Sequence, residues 1–307
     1  MRRLYIFSLL AFFLFLSNTS WAQQRPALST YTYSMMTINP AYSGYYGVTD
    51  VSLGAGSSIP HVDGAPQYIN ATVNGLLPGY RKNMGLGGGL AYDKIGVTST
   101  TDVYVSYAYK LISQNKNSYT SNGFYPKVLS FGLQAGFSNV REDLLSLGMY
   151  DDPNFASNIN ETVPYFGVGL FFSCRNFYLG ISSPRLYHSF FSEGDLNMQN
   201  HYYLQGGYKT ALNHKTFLKT ALLVRNVEGA PMQFDTNAIV EFNNLFEIGA
   251  GYQTAKGLNF TTALHLGKSM RLVYYFDLGL NENQPEELNN TSGILLSIRP
   301  AGGFKHN

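Results

Sequence analysis

Thr101-Asp102-Val103-Tyr104-Val105-Ser106-Tyr107-Ala108-Tyr109-Lys110-Leu111 alternates residue by residue, with Val103, Val105, Tyr107, Tyr109 and Leu111 on one phase and Asp102, Tyr104, Ser106, Ala108 and Lys110 on the other. Successive side chains of a strand point to opposite faces, so this run carries one apolar face and one small or polar face. That split suits a strand with lipid outside and a lumen inside. Leu129, Phe131, Leu133, Ala135 and Phe137 against Ser130, Gly132, Gln134, Gly136 and Ser138 repeat it, as do residues 68–76, 234–242 and 246–252. A soluble β-sandwich alternates in the same way.

Two features favour a transmembrane barrel over the sandwich. The phase opposite the apolar one holds Gly, Ser, Asn, Gln and Tyr, with few of the Lys and Glu residues that solvate a soluble sheet. The connections also alternate in length. Ser173-Cys174-Arg175-Asn176, Asn213-His214-Lys215, Asn243-Asn244 and Gly267-Lys268-Ser269 read as tight turns, whereas Arg141–Val163, Pro184–Gln199 and Gly279–Thr291 read as longer loops.

The pattern places strands near 47–58, 65–77, 84–93, 101–111, 127–139, 163–173, 176–183, 200–211, 216–226, 232–242, 245–253, 258–267, 269–279 and 291–299. The expected fold is thus all-β, a transmembrane antiparallel barrel of about fourteen strands spanning residues 47–299. An even count leaves both termini on the periplasmic side, with the tight turns periplasmic and the long loops extracellular. Ile112–Pro126 is the exception, long and rich in Asn and Ser on the periplasmic side. It is either a partner-facing loop or a sign that the strand count slips there.

Composition points the same way. Charged residues are 13% of the chain and aromatics 15%, with 24 Tyr, 21 Phe and 31 Gly. Soluble domains carry about 25% charge, so the balance is unusual for a surface that faces water. The mature part has no apolar run of roughly 18 residues, which excludes helical spans and leaves a closed barrel as the way to cross a bilayer. Arg2-Arg3, the apolar run Leu4–Leu16 and the small-residue site Ser20-Trp21-Ala22 have the layout of a secretory signal peptide over residues 1–22. The alternative, an N-terminal membrane helix, needs about 20 apolar residues and has fewer. Gln23 would begin the mature chain, so no lipid-bearing cysteine starts it.

Residues 23–46, with Pro26, Asn39-Pro40 and Tyr42-Ser43-Gly44, are turn-rich and form either a periplasmic arm or a segment folded into the lumen. Residues 300–307 form a tail. The single cysteine, Cys174, has no partner for an internal disulfide. Net charge is +2 with no basic cluster beyond Arg81-Lys82, which gives no nucleic-acid footprint.

Nothing in the chain assembles a catalytic constellation. Gly85-Leu86-Gly87-Gly88-Gly89 resembles a phosphate-cradling loop but lacks a following Lys-Ser/Thr pair and helix, so small residues facing a crowded lumen explain it better. His61, His188, His201, His214, His265 and His306 lack metal-binding spacing. Asp151-Asp152 and Glu286-Glu287 lack the spaced oxygen ligands of a calcium loop, and solvated charge is the simpler reading. His188-Ser189 has no supporting acid. Asn70-Ala71-Thr72 and Asn259-Phe260-Thr261 match glycosylation sequons but fall within strands. The sequence therefore assigns no catalytic, cofactor or metal residues, expects no enzyme, and singles out no partner-binding residues.

Several ordered pieces carry a family resemblance. They are Ile38-Asn39-Pro40-Ala41-Tyr42-Ser43-Gly44, Asp63-Gly64-Ala65-Pro66, and Gly85–Gly89 continuing to Tyr92-Asp93-Lys94-Ile95-Gly96-Val97-Thr98-Ser99. Further on come Asp152-Pro153-Asn154-Phe155, Pro164-Tyr165-Phe166-Gly167-Val168-Gly169, His201-Tyr202-Tyr203-Leu204 with Gly207-Tyr208, and Gly229-Ala230-Pro231-Met232-Gln233. In order and spacing the chain resembles the PorP/SprF family of outer-membrane proteins associated with type IX secretion in gliding and related bacteria. Ser57 and Ile59 stand where that family often has Arg and Trp, and the chain runs past Arg299-Pro300 instead of stopping on an aromatic residue. The resemblance implies partnership with type IX components and with a secreted cargo carrying a C-terminal sorting domain, such as a large surface adhesin. The alternative function is an outer-membrane channel or small-solute transporter, although a lumen lined with Tyr is one its own side chains could close.

Overall fold

The computed structural model describes residues 29–58, 64–79, 83–112, 127–148, 157–174, 176–187, 198–254, 256–280, 290–300 and 303–304. The expected signal peptide, Arg81-Lys82, Asp151–Phe155, His188-Ser189, Glu286-Glu287, His61 and His306 lie outside them.

Fourteen antiparallel strands form one closed barrel in which every neighbour in sequence is a neighbour in the sheet. They are β1 (Asp50–Ser58), β2 (Gln67–Leu76), β3 (Met84–Ile95), β4 (Thr98–Ile112), β5 (Val128–Glu142), β6 (Ile159–Cys174), β7 (Phe177–Leu186), β8 (His201–Ala211), β9 (Thr216–Val227), β10 (Gln233–Phe242), β11 (Phe246–Gln253), β12 (Gly257–Leu266), β13 (Met270–Gly279) and β14 (Thr291–Ile298). The ladder from Val51 opposite Ile298 to Ser58 opposite Thr291 joins β1 to β14. Closure leaves no edge strand with unpaired backbone groups, which a hydrocarbon layer would not tolerate.

The alternating phases become the two walls. Val105 is 65% and Leu133 61% exposed on the outside, while Asp102, Ser106, Ser130 and Ser138 point inward and are buried. Outward-facing Leu, Val, Ile and Phe recur on every strand pair from β2 to β13. In lipid they need no protein partner, which is why so many large apolar side chains lie open.

The strands run beyond the places where alternation ends. β3 and β4 meet at the two-residue turn Gly96-Val97, with Gly96 at φ 59°, and Lys94 pairs Ser99. Alternation suggests ends at 93 and 101. Past the membrane both faces of a hairpin are wet, so the apolar phase disappears while the backbone ladder continues. β5 and β6 extend for the same reason, with Arg141 paired to Asn160, and the expected loop Arg141–Val163 shrinks to residues 143–158. β7 also continues through Pro184, where a loop is expected from the proline. The ladder shifts register on both sides of it, between Phe166 and Val168 and between Ser182 and Arg185. A bulge accommodates a residue without an N–H, and it turns the backbone inward. The Pro184 carbonyl accepts from Gln134 Nε2 at 3.1 Å, and Arg185 pairs with Asp102 at 2.8 Å across the lumen.

β1 begins and β14 ends at the same end of the barrel, called here the near end. Its connections are short at residues 175–176, 212–215, 243–245 and 267–269, and Asn243 and Asn244 both adopt φ 51° in their turn. The far end holds the longer connections 143–158, 187–200 and 280–290, together with the tight turns 96–97 and 254–256. Ile112 pairs Val128, so residues 113–127 join adjacent strands at the near end and the strand count does not slip there. Residues 113–126 themselves lie outside the described part.

Candidate functional site

A barrel of about eight strands is filled by its own side chains, whereas one of sixteen to eighteen leaves a water-filled channel. Fourteen strands leave a space that side chains alone do not fill. Here the segment before β1 fills it: Tyr31, Met36, Ile38, Asn39, Ala41 and Ser43 are buried inside the barrel. The segment folds as two single-turn 3₁₀ helices, Met35–Thr37 and Pro40–Tyr42. Asn39 caps the second, its Oδ1 accepting from Ala41 N at 2.9 Å, and Pro40 sits where a helix start has no use for an N–H.

Six polar groups of Ile38–Gly44 that the turns leave open find partners on the wall. Ser182 Oγ donates to Ile38 O at 2.6 Å, Asn39 Nδ2 to Leu170 O at 3.0 Å, and Ser130 Oγ to Ala41 O at 2.7 Å. Lys110 Nζ donates to Ser43 O at 2.6 Å, the Ser43 and Ser106 hydroxyls share a bond of 2.7 Å, and Gly44 N donates to Asn74 Oδ1 at 3.0 Å. Buried polar backbone costs free energy unless it is bonded, so these six contacts allow an irregular segment to lie at membrane depth.

Glycines on the wall make room for it. A Cβ on Gly85 would overlap Ser43 O, on Gly132 the Ala41 backbone, and on Gly169 the Asn39 amide. Within the Gly85–Gly89 run, Gly85 and Gly87 therefore make room for Ser43 and Met36 of this segment and Gly89 makes room for the wall's own Tyr104, on the crowded lumen face its sequence suggests.

At the near end a buried charge cluster lies between this segment and β8–β14. Lys219 Nζ bridges Glu241 at 2.6 Å and Glu247 at 3.1 Å, and His265 Nε2 meets Glu247 at 2.7 Å. Arg299 Nε donates to Asp50 Oδ1 at 2.9 Å. Phe304, in the tail, lies between the guanidinium groups of Arg271 and Arg299 at 4.6 and 4.2 Å, and Tyr33 lies against Arg271 at 4.7 Å. Tyr42 and Tyr45 stack at 4.7 Å and meet Phe171 edge-on. Between the charges and the rings remains a cavity of about 100 Å³.

Sequence reading does not find this cluster, because it weighs the scarcity of charge and not its position. The signal is present. Lys209, Lys219, Glu241, Glu247, His265 and Arg271 all sit on the non-apolar phase, within a few residues of a tight near-end turn. Of the histidines singled out, His265 joins the cluster, His201 lies at the start of β8 near Tyr203, and His214 lies in a turn. Among the described residues no group of three or more His, Cys, Asp or Glu is arranged to hold a metal ion.

The closed fourteen-strand sheet, its lipid-facing belt and its occupied lumen define an outer-membrane β-barrel with an internal plug. The family model for the type IX secretion system membrane protein PorP/SprF matches residues 20–298, and the chain belongs to that family. It is thus an outer-membrane barrel of type IX secretion. Among solved structures, it is similar to the outer-membrane protein Omp33 of Acinetobacter baumannii, with 8% identity, a TM-score of 0.48, 84% of this chain and 100% of that one covered. It is also similar to the toluene transporter TodX of P. putida, with 10% identity, a TM-score of 0.48, and 88% and 93% covered. No curated protein sequence matches.

Proposed function

We propose that this barrel is a non-enzymatic accessory of type IX secretion that assists the export or surface attachment of particular cargo, such as a large adhesin with a C-terminal sorting domain. The observation that carries the reading is the plug. Ile38–Gly44 is bonded to β2, β4, β5, β6 and β7 through six hydrogen bonds, which supports reading the lumen as a scaffold and not as a conduit. A barrel so filled acts through its surfaces, and its outer wall and the two ends of the barrel are the surfaces it offers. In this reading the signal peptide is removed after Ala22, the far end faces the exterior and the near end the periplasm.

Deletion of the gene tests the proposal. The expected result is loss of one or a few surface adhesins, with the remaining type IX cargo still displayed. A deletion strain that displays every adhesin refutes it. Planar-bilayer recording separates the alternative, since a stable large conductance from the purified, plugged barrel would mark a channel.

A further inference from the structure

The barrel's strand ends suggest that both chain termini share the near end, but the lumenal segment runs the other way. Ser29 Oγ donates to Asp277 Oδ2 at 2.6 Å and accepts from Gln253 Nε2 at 3.2 Å. Both partners lie at the far end. Gln253 closes β11, and Asp277 is bonded by Thr291, the first residue of β14, and by Lys256 in the β11–β12 turn. Two residues on, Tyr31 OH accepts from Asn237 Nδ2 in the middle of β10. Two further on, Tyr33 OH donates to Glu247 at the near-end start of β11, and its ring meets Arg271 at the near-end start of β13.

The distances agree with a single descent. Glu247 to Gln253 at about 3.3 Å per residue, tilted by about 40°, is about 15 Å of barrel height. Ser29–Tyr33 is turned, Tyr33 N and Ser34 N both donating to Thr30 O, so the backbone covers about 6 Å and the side chains of Tyr33, Gln253 and Glu247 span the rest. The chain then crosses the lumen through Ile38–Gly44 and enters β1 at Asp50, beside Arg299 at the near end.

We infer that the chain threads its own barrel, so that the residues before Ser29 leave at the far end and the mature N-terminus is displayed on the face opposite the C-terminus. Cleavage after Ala22 would leave six residues before Ser29. Extended, they reach at most about 20 Å, short of the roughly 25 Å apolar band, and the lumen they would have to retrace is occupied. The far face thereby carries a chain end beside the β13–β14 connection, continuous with the plug. A partner docked on that face meets the leading end of the segment that fills the lumen. The inference holds whichever face is exterior.

Two experiments on the full-length chain in its own outer membrane test it, both in a Cys174→Ser background. Single cysteines at Gln24→Cys and at His306→Cys are treated with a membrane-impermeant maleimide. One of the two should label in intact cells and the other only after the outer membrane is permeabilised. Both labelled in intact cells, or both protected until permeabilisation, overturns the inference. A homobifunctional thiol cross-linker with a short spacer should join Ser29→Cys to Gln253→Cys, as it should join Ser43→Cys to Ser106→Cys. Cross-linking of the second pair without the first means that the segment enters the lumen without reaching the far end, and refutes the threading.

Discussion

Gly44 offers a direct measure of how tightly the plug is held. Its backbone adopts φ 65°, and an added Cβ would lie 2.7 Å from Gly75 O and 2.9 Å from Gly85 Cα, both backbone atoms of the wall. Gly44→Ala therefore meets two costs. Holding an L side chain in the left-handed region costs about 1–2 kcal/mol. Relieving the overlap requires a displacement of about 0.7 Å to reach ordinary contact, in a segment held in place by the 3.0 Å bond from Gly44 N to Asn74 Oδ1. Overpacking of this kind adds about 1–3 kcal/mol.

Gly96→Ala separates the two costs. Gly96 has φ 59° in the β3–β4 turn, and nothing lies within 4 Å of its Cβ position, so it meets only the backbone cost. Unfolding of the refolded barrel in urea, followed by its gel mobility with and without heating, should show Gly44→Ala less stable than Gly96→Ala by about 1–3 kcal/mol. Equal destabilisation of the two variants would mean that the segment is not seated against Gly75 and Gly85, and the account of the plug would be refuted.

Removal of residues 29–44 should leave a folded barrel with an open lumen, seen as a stable conductance in planar bilayers that the intact chain lacks. Lys219→Met removes the cation that the buried Glu241 and Glu247 share, leaving Lys209 beside the first and His265 and Arg271 beside the second, and should cost about 1–3 kcal/mol in the urea assay, with Lys219→Arg closer to wild type. Leu133→Arg places a charge on the lipid face of β5 and should lower the stability of the membrane-inserted barrel by about 2–4 kcal/mol. Gln134→Ala, on the opposite face of the same strand, should cost less and loosen the inward bend at Pro184.

The barrel is legible in the sequence because lipid imposes a strict rule on every second residue. Val103 to Leu111 and Leu129 to Phe137 fall outside and their alternates inside, as their phases require. The rule fails where its cause fails. Asp93-Lys94 and Thr98-Ser99 lie where both faces are wet, so the β3–β4 turn shows only as Gly96. Pro184 reads as a strand end because a proline interrupts a ladder, and only the ladder's neighbours reveal the bulge that keeps β7 going.

The lumen is harder to read, since contacts between distant positions define it. Asn39 and Leu170, or Ser43 and Lys110, have no periodicity to connect them. Ile38–Gly44 is conspicuous as turn chemistry, yet its destination depends on Gly85, Gly132 and Gly169 being spaced to receive it. The charge cluster escapes notice because its members stand on different strands, and only the ladder sets them side by side.

The bond between Arg299 and Asp50 spans 249 residues of sequence and fastens the last strand to the first. Loop-closure entropy grows with the length of chain enclosed, so this is among the costliest contacts to bring together and among the last to form. Before it forms, the segment ahead of Asp50 can enter the curling sheet from its open side; afterwards it can enter only through the near-end mouth, where it is tethered. Arg299 thus acts as a latch on the last seam to close. Its loss should leave insertion rates nearly unchanged and speed unfolding, the signature of an interaction absent from the transition state.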